Sequence, residues 1–179
     1  MLEKEHTALV IVDVQGKLAR LMHDKDNLFK NIRILIQGAK LIGLPIIWME
    51  QVPGKLGPTI PEISELLTDM KPIAKSAFSC ARNEEFNHRL EELHVHGILL
   101  AGIETHVCVY QTAVDLLEKG YHIEVVADAV SSRTEFNKEI GLDRILLAGG
   151  SVTSVETVLF ELQQNAAGER FKQLVKLVK

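Results

Sequence analysis

The 179-residue chain holds two cysteines, Cys80 and Cys108, and Cys108 has the more informative surroundings. It follows Leu99-Leu100-Ala101-Gly102-Ile103-Glu104-Thr105-His106-Val107 and leads into a segment of helical spacing. A sulfur in the first turn of a helix faces unpaired backbone N–H groups and the positive end of the dipole. That placement lowers a thiol's pKa and favours the nucleophilic thiolate. The same N–H groups are suited to hold an oxyanion. The competing reading is a small buried hydrophobe, and spacing alone leaves both open. Asp13 interrupts the apolar run Leu9-Val10-Ile11-Val12. A buried carboxylate needs an ion pair or hydrogen bonds, so Asp13 is a candidate site acid. Its plainer alternative is a strand-end acid that accepts from nearby backbone N–H groups. Lys75 follows the short extended piece Pro72-Ile73-Ala74. Alone it reads as a solvated surface group, and its weight comes from company.

Other reactive residues carry less. Cys80, in Ser79-Cys80-Ala81-Arg82, has no helix start as clean as that of Cys108. The histidines at 6, 23, 88, 94, 96, 106 and 122 form no compact ligand set of the kind that binds zinc. His106 is two residues from Cys108, a spacing at which helical side chains do not face each other. No glycine-rich dinucleotide loop and no phosphate-binding loop is present.

These residues need a scaffold, and the hydropathy pattern supplies one. Continuous apolar runs at 8–14, 45–49, 98–102 and 122–126 predict strands covered on both faces. Between them the spacing predicts helices over 27–41, 83–94 and from Val109 to a stop at Gly120. Two more are predicted over 135–148 and behind Thr153-Ser154-Val155-Glu156, which has the spacing of a capping box. A basic amphipathic segment, 169–178, ends the chain and is suited to dock on its own domain or on another subunit. Residues 52–75 hold four of the five prolines, which predicts a long functional loop with a short helix near 61–67. Strands alternating with helices predict one domain over 1–179: a doubly wound, mostly parallel α/β sheet of about six strands with helices on both faces. Ligands bind such sheets beyond the carboxyl ends of the strands, so Asp13, Lys75 and Cys108 are expected to share one rim.

Composition narrows the function. A net charge of −4 gives no basic surplus for nucleic acid or an anionic membrane. No run reaches the roughly 18 to 20 apolar residues of a membrane helix. Two cysteines and the absence of a signal-peptide layout at the start predict a reduced, cytoplasmic protein.

Four segments together carry a family resemblance: Leu9-Val10-Ile11-Val12-Asp13-Val14-Gln15, Lys75-Ser76-Ala77-Phe78-Ser79, Gly102 to Val109 with Gln111-Thr112-Ala113, and Ala127-Asp128-Ala129-Val130-Ser131-Ser132. With these, nearly the whole chain resembles the isochorismatase-like hydrolases of the cysteine hydrolase superfamily, which have a Rossmann-like three-layer fold. The nearest resemblance is to isochorismatase-domain-containing and YcaC-like proteins without assigned substrates. The resemblance implies a catalytic triad of Asp13, Lys75 and Cys108. It implies a cis peptide between Ile103 and Glu104, with the N–H groups of Glu104 and Cys108 as the oxyanion hole. It also implies a homo-oligomer: a dimer, a tetramer or larger. Where nicotinamidases carry a metal set after the second strand, this chain reads Glu50-Gln51-Val52-Pro53-Gly54-Lys55-Leu56-Gly57-Pro58, with no histidine. No metal and no cofactor are therefore expected, and nicotinamidase activity is not implied. The expected chemistry is hydrolysis of a small amide or related carbonyl compound through a thioester. Two alternatives stand beside it. One is enol-ether hydrolysis by Asp13 with Cys108 as a bystander; the other is a catalytically idle oligomeric binding or scaffold protein.

Overall fold

Six segments form strands: β1 (Thr7–Val12), β2 (Ile46–Gln51), β3 (Ile73–Lys75), β4 (Gly97–Ile103), β5 (His122–Ser131) and β6 (Ser151–Thr153). The structure, a computed structural model, describes residues 2–179. The helices are α1 (Gly16–Ala19), α2 (Lys25–Ile42), α3 (Pro53–Leu56), α4 (Pro61–Ser64), α5 (Glu84–Leu93), α6 (Tyr110–Glu118), α7 (Glu135–Leu147), α8 (Val155–Gln163) and α9 (Gly168–Val178). A π-helical turn, Thr105–Val109, joins β4 to α6.

All six strands are parallel, in the order β3-β2-β1-β4-β5-β6. Every residue of β1 is buried, which is why its apolar run is continuous rather than alternating. Leu9 and Ile11 face a core built with α2, α4, α8 and α9. Ala8, Val10 and Val12 face a second core built with α5, α6 and α7. The chain leaves β1 toward β2 on one side and β4 toward β5 on the other. The crevice beyond the ends of β1 and β4 is therefore the switch point, where a doubly wound sheet binds its ligands.

Backbone contact holds those two strand ends together. Gly102 has φ +118, and a Cβ there would lie 2.1 Å from the Val12 carbonyl oxygen. Only glycine lets β4 approach β1 this closely. Asp13, the next residue on the β1 side, has φ 53, a left-handed conformation that Asp tolerates better than most residues.

Several expectations are refined. The long loop contains α4 near its predicted place and a further short helix, α3. The run at 8–14 ends as a strand at Val12, where the backbone turns at Asp13. The predicted capping box is displaced by one residue. Ser154, not Thr153, is the N-cap of α8 and accepts from the Thr157 N–H at 3.2 Å. The α8 start is also held by Asp128, which accepts from the Val155 N–H at 2.9 Å, so tertiary contact selects the cap. The C-terminal helix docks on its own sheet layer: Leu174 is fully buried in the α2 core.

Candidate active site

Asp13 sits beyond β1 and Lys75 is the last residue of β3, two strands away. The lysine reaches across the end of β2. Its Nζ donates to Asp13 Oδ2 at 2.6 Å, and the two side chains are 0% and 2% exposed. Nζ also donates to Gln51 Oε1 at 2.6 Å, to the Phe78 carbonyl at 2.9 Å and to the Ala77 carbonyl at 3.2 Å. A buried ammonium is costly unless paired and hydrogen-bonded, and here it has both kinds of partner.

Cys108 arrives from β4. The Ile103–Glu104 peptide bond is cis, and the π turn follows it. Glu104 precedes that turn, and its carbonyl accepts from the N–H groups of Val107 and Val109. Cys108 is buried within the turn and faces Asp13 closely enough that the two ionisations act on each other. Asp13 Oδ1 is buried and has no hydrogen-bond partner of good geometry. The site thus holds an ion pair on one carboxylate oxygen and leaves the other oxygen free to receive a proton.

Electrostatics bear on the two readings of Cys108. Burial pushes the Cys108 thiol up, and the Asp13 charge pushes it further, with Lys75 opposing. Burial and the Asp13 charge both act against a thiolate at this turn. Desolvation and an adjacent carboxylate outweigh the dipole of a short turn. Burial also holds Asp13 above the usual carboxylate range, against the charge and hydrogen bond of Lys75. Burial pushes both the thiol and the carboxylate toward their protonated forms. Cys80 is fully buried, with a thiol pushed up to about 12, so it is inert.

The other candidates fall elsewhere. His106 Nδ1 lies 2.9 Å from Ser132 Oγ, so that hydroxyl occupies one ring nitrogen. The Glu104 side chain takes an ion pair from Arg133 at 2.9 Å, leaving only its backbone for the site. Two residues escaped the sequence reading as site members. Gln51 contacts Lys75, and Gln15 brackets the Gln51 backbone, accepting from its N–H at 2.6 Å and donating to its carbonyl at 3.2 Å. The available signal was position: Gln51 ends an apolar strand on the same sheet edge as Asp13 and Lys75.

The proline-rich loop predicted to be functional lines a cavity of about 700 Å³, with Pro58, Thr59, Ile60 and Pro61. That cavity opens against Trp48 and Glu50, on the face of β2 opposite Met49, and its lining does not include Asp13, Lys75 or Cys108. Among the described residues, no group of three or more His, Cys, Asp or Glu is arranged to hold a metal ion. No described helix is long and apolar enough to cross a membrane.

Comparison with known proteins agrees with this architecture. Residues 7–157 match the isochorismatase domain. The chain is 38% identical over 177 residues to a secreted isochorismatase effector, Isc1, of Phytophthora sojae, covering 97% of this chain and 84% of that protein. The MAR1 ribonuclease of Caenorhabditis elegans superposes with a TM-score of 0.92 at 34% identity, over 99% of this chain and 91% of that one. YcaC from Pseudomonas aeruginosa, solved with hexane-2,5-diol and covalent acrylamide, gives 0.92 at 26% identity, over 98% and 90% of the two chains. YcaC from Escherichia coli, described as an octameric hydrolase of unknown specificity, gives 0.92 at 26% identity, over 98% and 89%. With a domain match over most of its length and a relative of this identity, the chain belongs to the isochorismatase family.

Proposed function

We propose that this protein is a cysteine-dependent hydrolase of a small amide or related carbonyl compound, with Asp13, Lys75 and Cys108 as its catalytic residues. The observation that carries the reading is a buried Asp13 carboxylate that interacts with the buried Cys108 thiol, with Lys75 on Oδ2 and no hydrogen-bond partner on Oδ1. The covalent acrylamide in the Pseudomonas YcaC structure supports a reactive nucleophile by analogy, since nucleophiles add to its alkene; it does not bear on amide cleavage. Because burial pushes the thiol toward its protonated form, proton transfer to Asp13 Oδ1 accompanies attack of Sγ on the carbonyl carbon. The backbone N–H groups of Glu104 and Cys108 receive the oxyanion; one such donor is typically worth about 3 kcal/mol. Asp13 then gives the proton to the departing amine. Water, deprotonated by the same carboxylate, releases the acid from the thioester and restores the thiol.

The chain also reads as a homo-oligomer. Support comes from the octameric Escherichia coli relative and from Phe136, Ile140, Leu146 and Leu147, which α7 leaves exposed. The Caenorhabditis neighbour, described as a ribonuclease, makes RNA a second candidate substrate. A net charge of −4 weighs against it.

The test is a hydrolysis screen of small amides and esters, with an RNA arm, on wild type, Cys108→Ala and Asp13→Asn. Both variants are expected to lose amide turnover, Asp13→Asn by about 10²–10⁴-fold, the usual range for a general acid–base group. Full turnover by Cys108→Ala would refute the thioester route and favour enol-ether chemistry by Asp13. Cleavage of RNA alone would replace the amide reading.

A further inference from the structure

The Asp13–Lys75 pair is the centre of the proposed chemistry, yet Asp13 supplies only one of four acceptors around the Lys75 ammonium. Gln51 supplies another at 2.6 Å, as close as Asp13 itself. An amide side chain can present oxygen or nitrogen, and here the surroundings choose. Gln51 Nε2 donates to the Ser76 carbonyl at 2.7 Å, which turns Oε1 toward Lys75. The Gln51 backbone is clamped in turn by Gln15, through Oε1 to its N–H and Nε2 to its carbonyl. Gln15 Nε2 also donates to the Gly57 carbonyl at 2.7 Å, tying the clamp to the loop after α3. Gln51 and Gln15 are both buried, so water does not replace these bonds.

We propose that Gln51 is a positioning residue of this site: it holds Lys75 against Asp13 Oδ2, which leaves Oδ1 as the oxygen open to the migrating proton. The inference rests on the catalytic reading of Asp13, Lys75 and Cys108 and adds a division of labour. An ammonium offers three N–H donors, and Nζ has four oxygen acceptors around it. All of its donors are thereby engaged by fixed oxygens, and Lys75 acts on Asp13 through its position. Gln51 touches neither Cys108 nor a substrate carbonyl in this reasoning; it acts through Lys75.

The experiment follows iodoacetamide alkylation of Cys108 against pH, by intact mass and peptide mapping, with fully buried Cys80 as internal control. Alkylation requires Asp13 ionised to accept the thiol proton, and Lys75 favours that ionised form. Gln51→Met keeps the length of the side chain but removes the acceptor. With Lys75 loosened, Asp13 ionises less readily, so the midpoint of the profile moves to higher pH. The expected shift is about one unit, equal to about tenfold slower alkylation on the acid side. Gln51→Asn, which keeps the amide but shortens its reach, shifts the midpoint in the same direction and covers the case in which Gln51→Met does not fold. Ser154→Ala removes the N-cap of α8, away from these side chains, and leaves the midpoint at the wild-type value. A wild-type midpoint in both Gln51 variants, or an equal shift in Ser154→Ala, overturns the assignment. If Asp13→Asn alkylates like wild type, the catalytic reading and this inference fall together. If Asp13→Asn is slow while the Gln51 variants keep the wild-type midpoint, only this inference falls.

Discussion

Replacing Lys75 by Met removes one partner of a buried ion pair and leaves the other behind. The Nζ–Oδ2 distance is 2.6 Å and neither side chain is more than 2% exposed, so water cannot compensate. Breaking such a pair from one side costs about 3–5 kcal/mol, mostly the uncompensated charge. Gln51 Oε1 and the carbonyls of Ala77 and Phe78 lose a donor at the same time. Against a typical total stability of about 5–15 kcal/mol the variant still folds, with a melting temperature lower by about 10 °C. The cost depends on pH in a defined direction. Without Lys75, burial alone raises Asp13 further above 3.8, its ordinary value. The folded state then holds a proton that the unfolded state releases, so stability is greatest at low pH and falls as pH rises through the raised value. Urea unfolding of Lys75→Met, Asp13→Asn and the double variant, in acid and at neutral pH, measures this. At neutral pH the double variant is expected to be more stable than the two single costs would sum to, by about 1–3 kcal/mol. A single-variant cost below about 1 kcal/mol, or strict additivity, would refute the claim that this pair is a buried charge couple.

Further predictions concern the scaffold. Gly141→Ala should destabilise although alanine favours a helix by about 1 kcal/mol, because its Cβ would lie 2.7 Å from the Thr105 carbonyl carbon and 2.8 Å from His106 N. The displaced π turn should also slow Cys108 alkylation; a variant more stable than wild type would contradict this packing. Ser154→Ala should cost about 1 kcal/mol of α8 stability and Thr153→Ala should not, which thermal melts would separate. Leu174→Ala should cost about 2–5 kcal/mol, and a loss near zero would mean that α9 does not belong to this core. In wild type, Asp13 is already raised, so its contribution to stability is present at low pH and declines as pH climbs from 3.8 through the raised value. The difference between wild type and Asp13→Asn isolates that slope, and its absence would show an unperturbed carboxylate.

Strands and helices were legible because apolar periodicity is local. The stripe Leu28, Ile32, Leu35, Ile36 and Ala39 marks one face of α2, and all five are buried. A helix end was legible where one residue decides it: Gly120, the predicted stop, has φ +88 just beyond α6. Asn83, read as the first residue of its helix, is instead the N-cap of α5 and accepts from the Phe86 N–H. The α8 cap slipped by one because Asp128, 27 residues upstream, binds the Val155 N–H. β6 has only three residues, too few for a pattern, and it exists through pairing with β5.

By itself the sequence settled the order of the elements and therefore which residues stand beyond the ends of parallel strands. Side-chain type and backbone period suffice for that. Only the tertiary structure decided that Lys75 crosses β2 to reach an acid 62 residues away, and that Gln51 holds it there. It also decided the electrostatics at Cys108, since the helical turn is a local feature but the carboxylate and the burial around the sulfur are not. Charge state depends on every group within a few ångströms, and those groups come together only when distant segments pack.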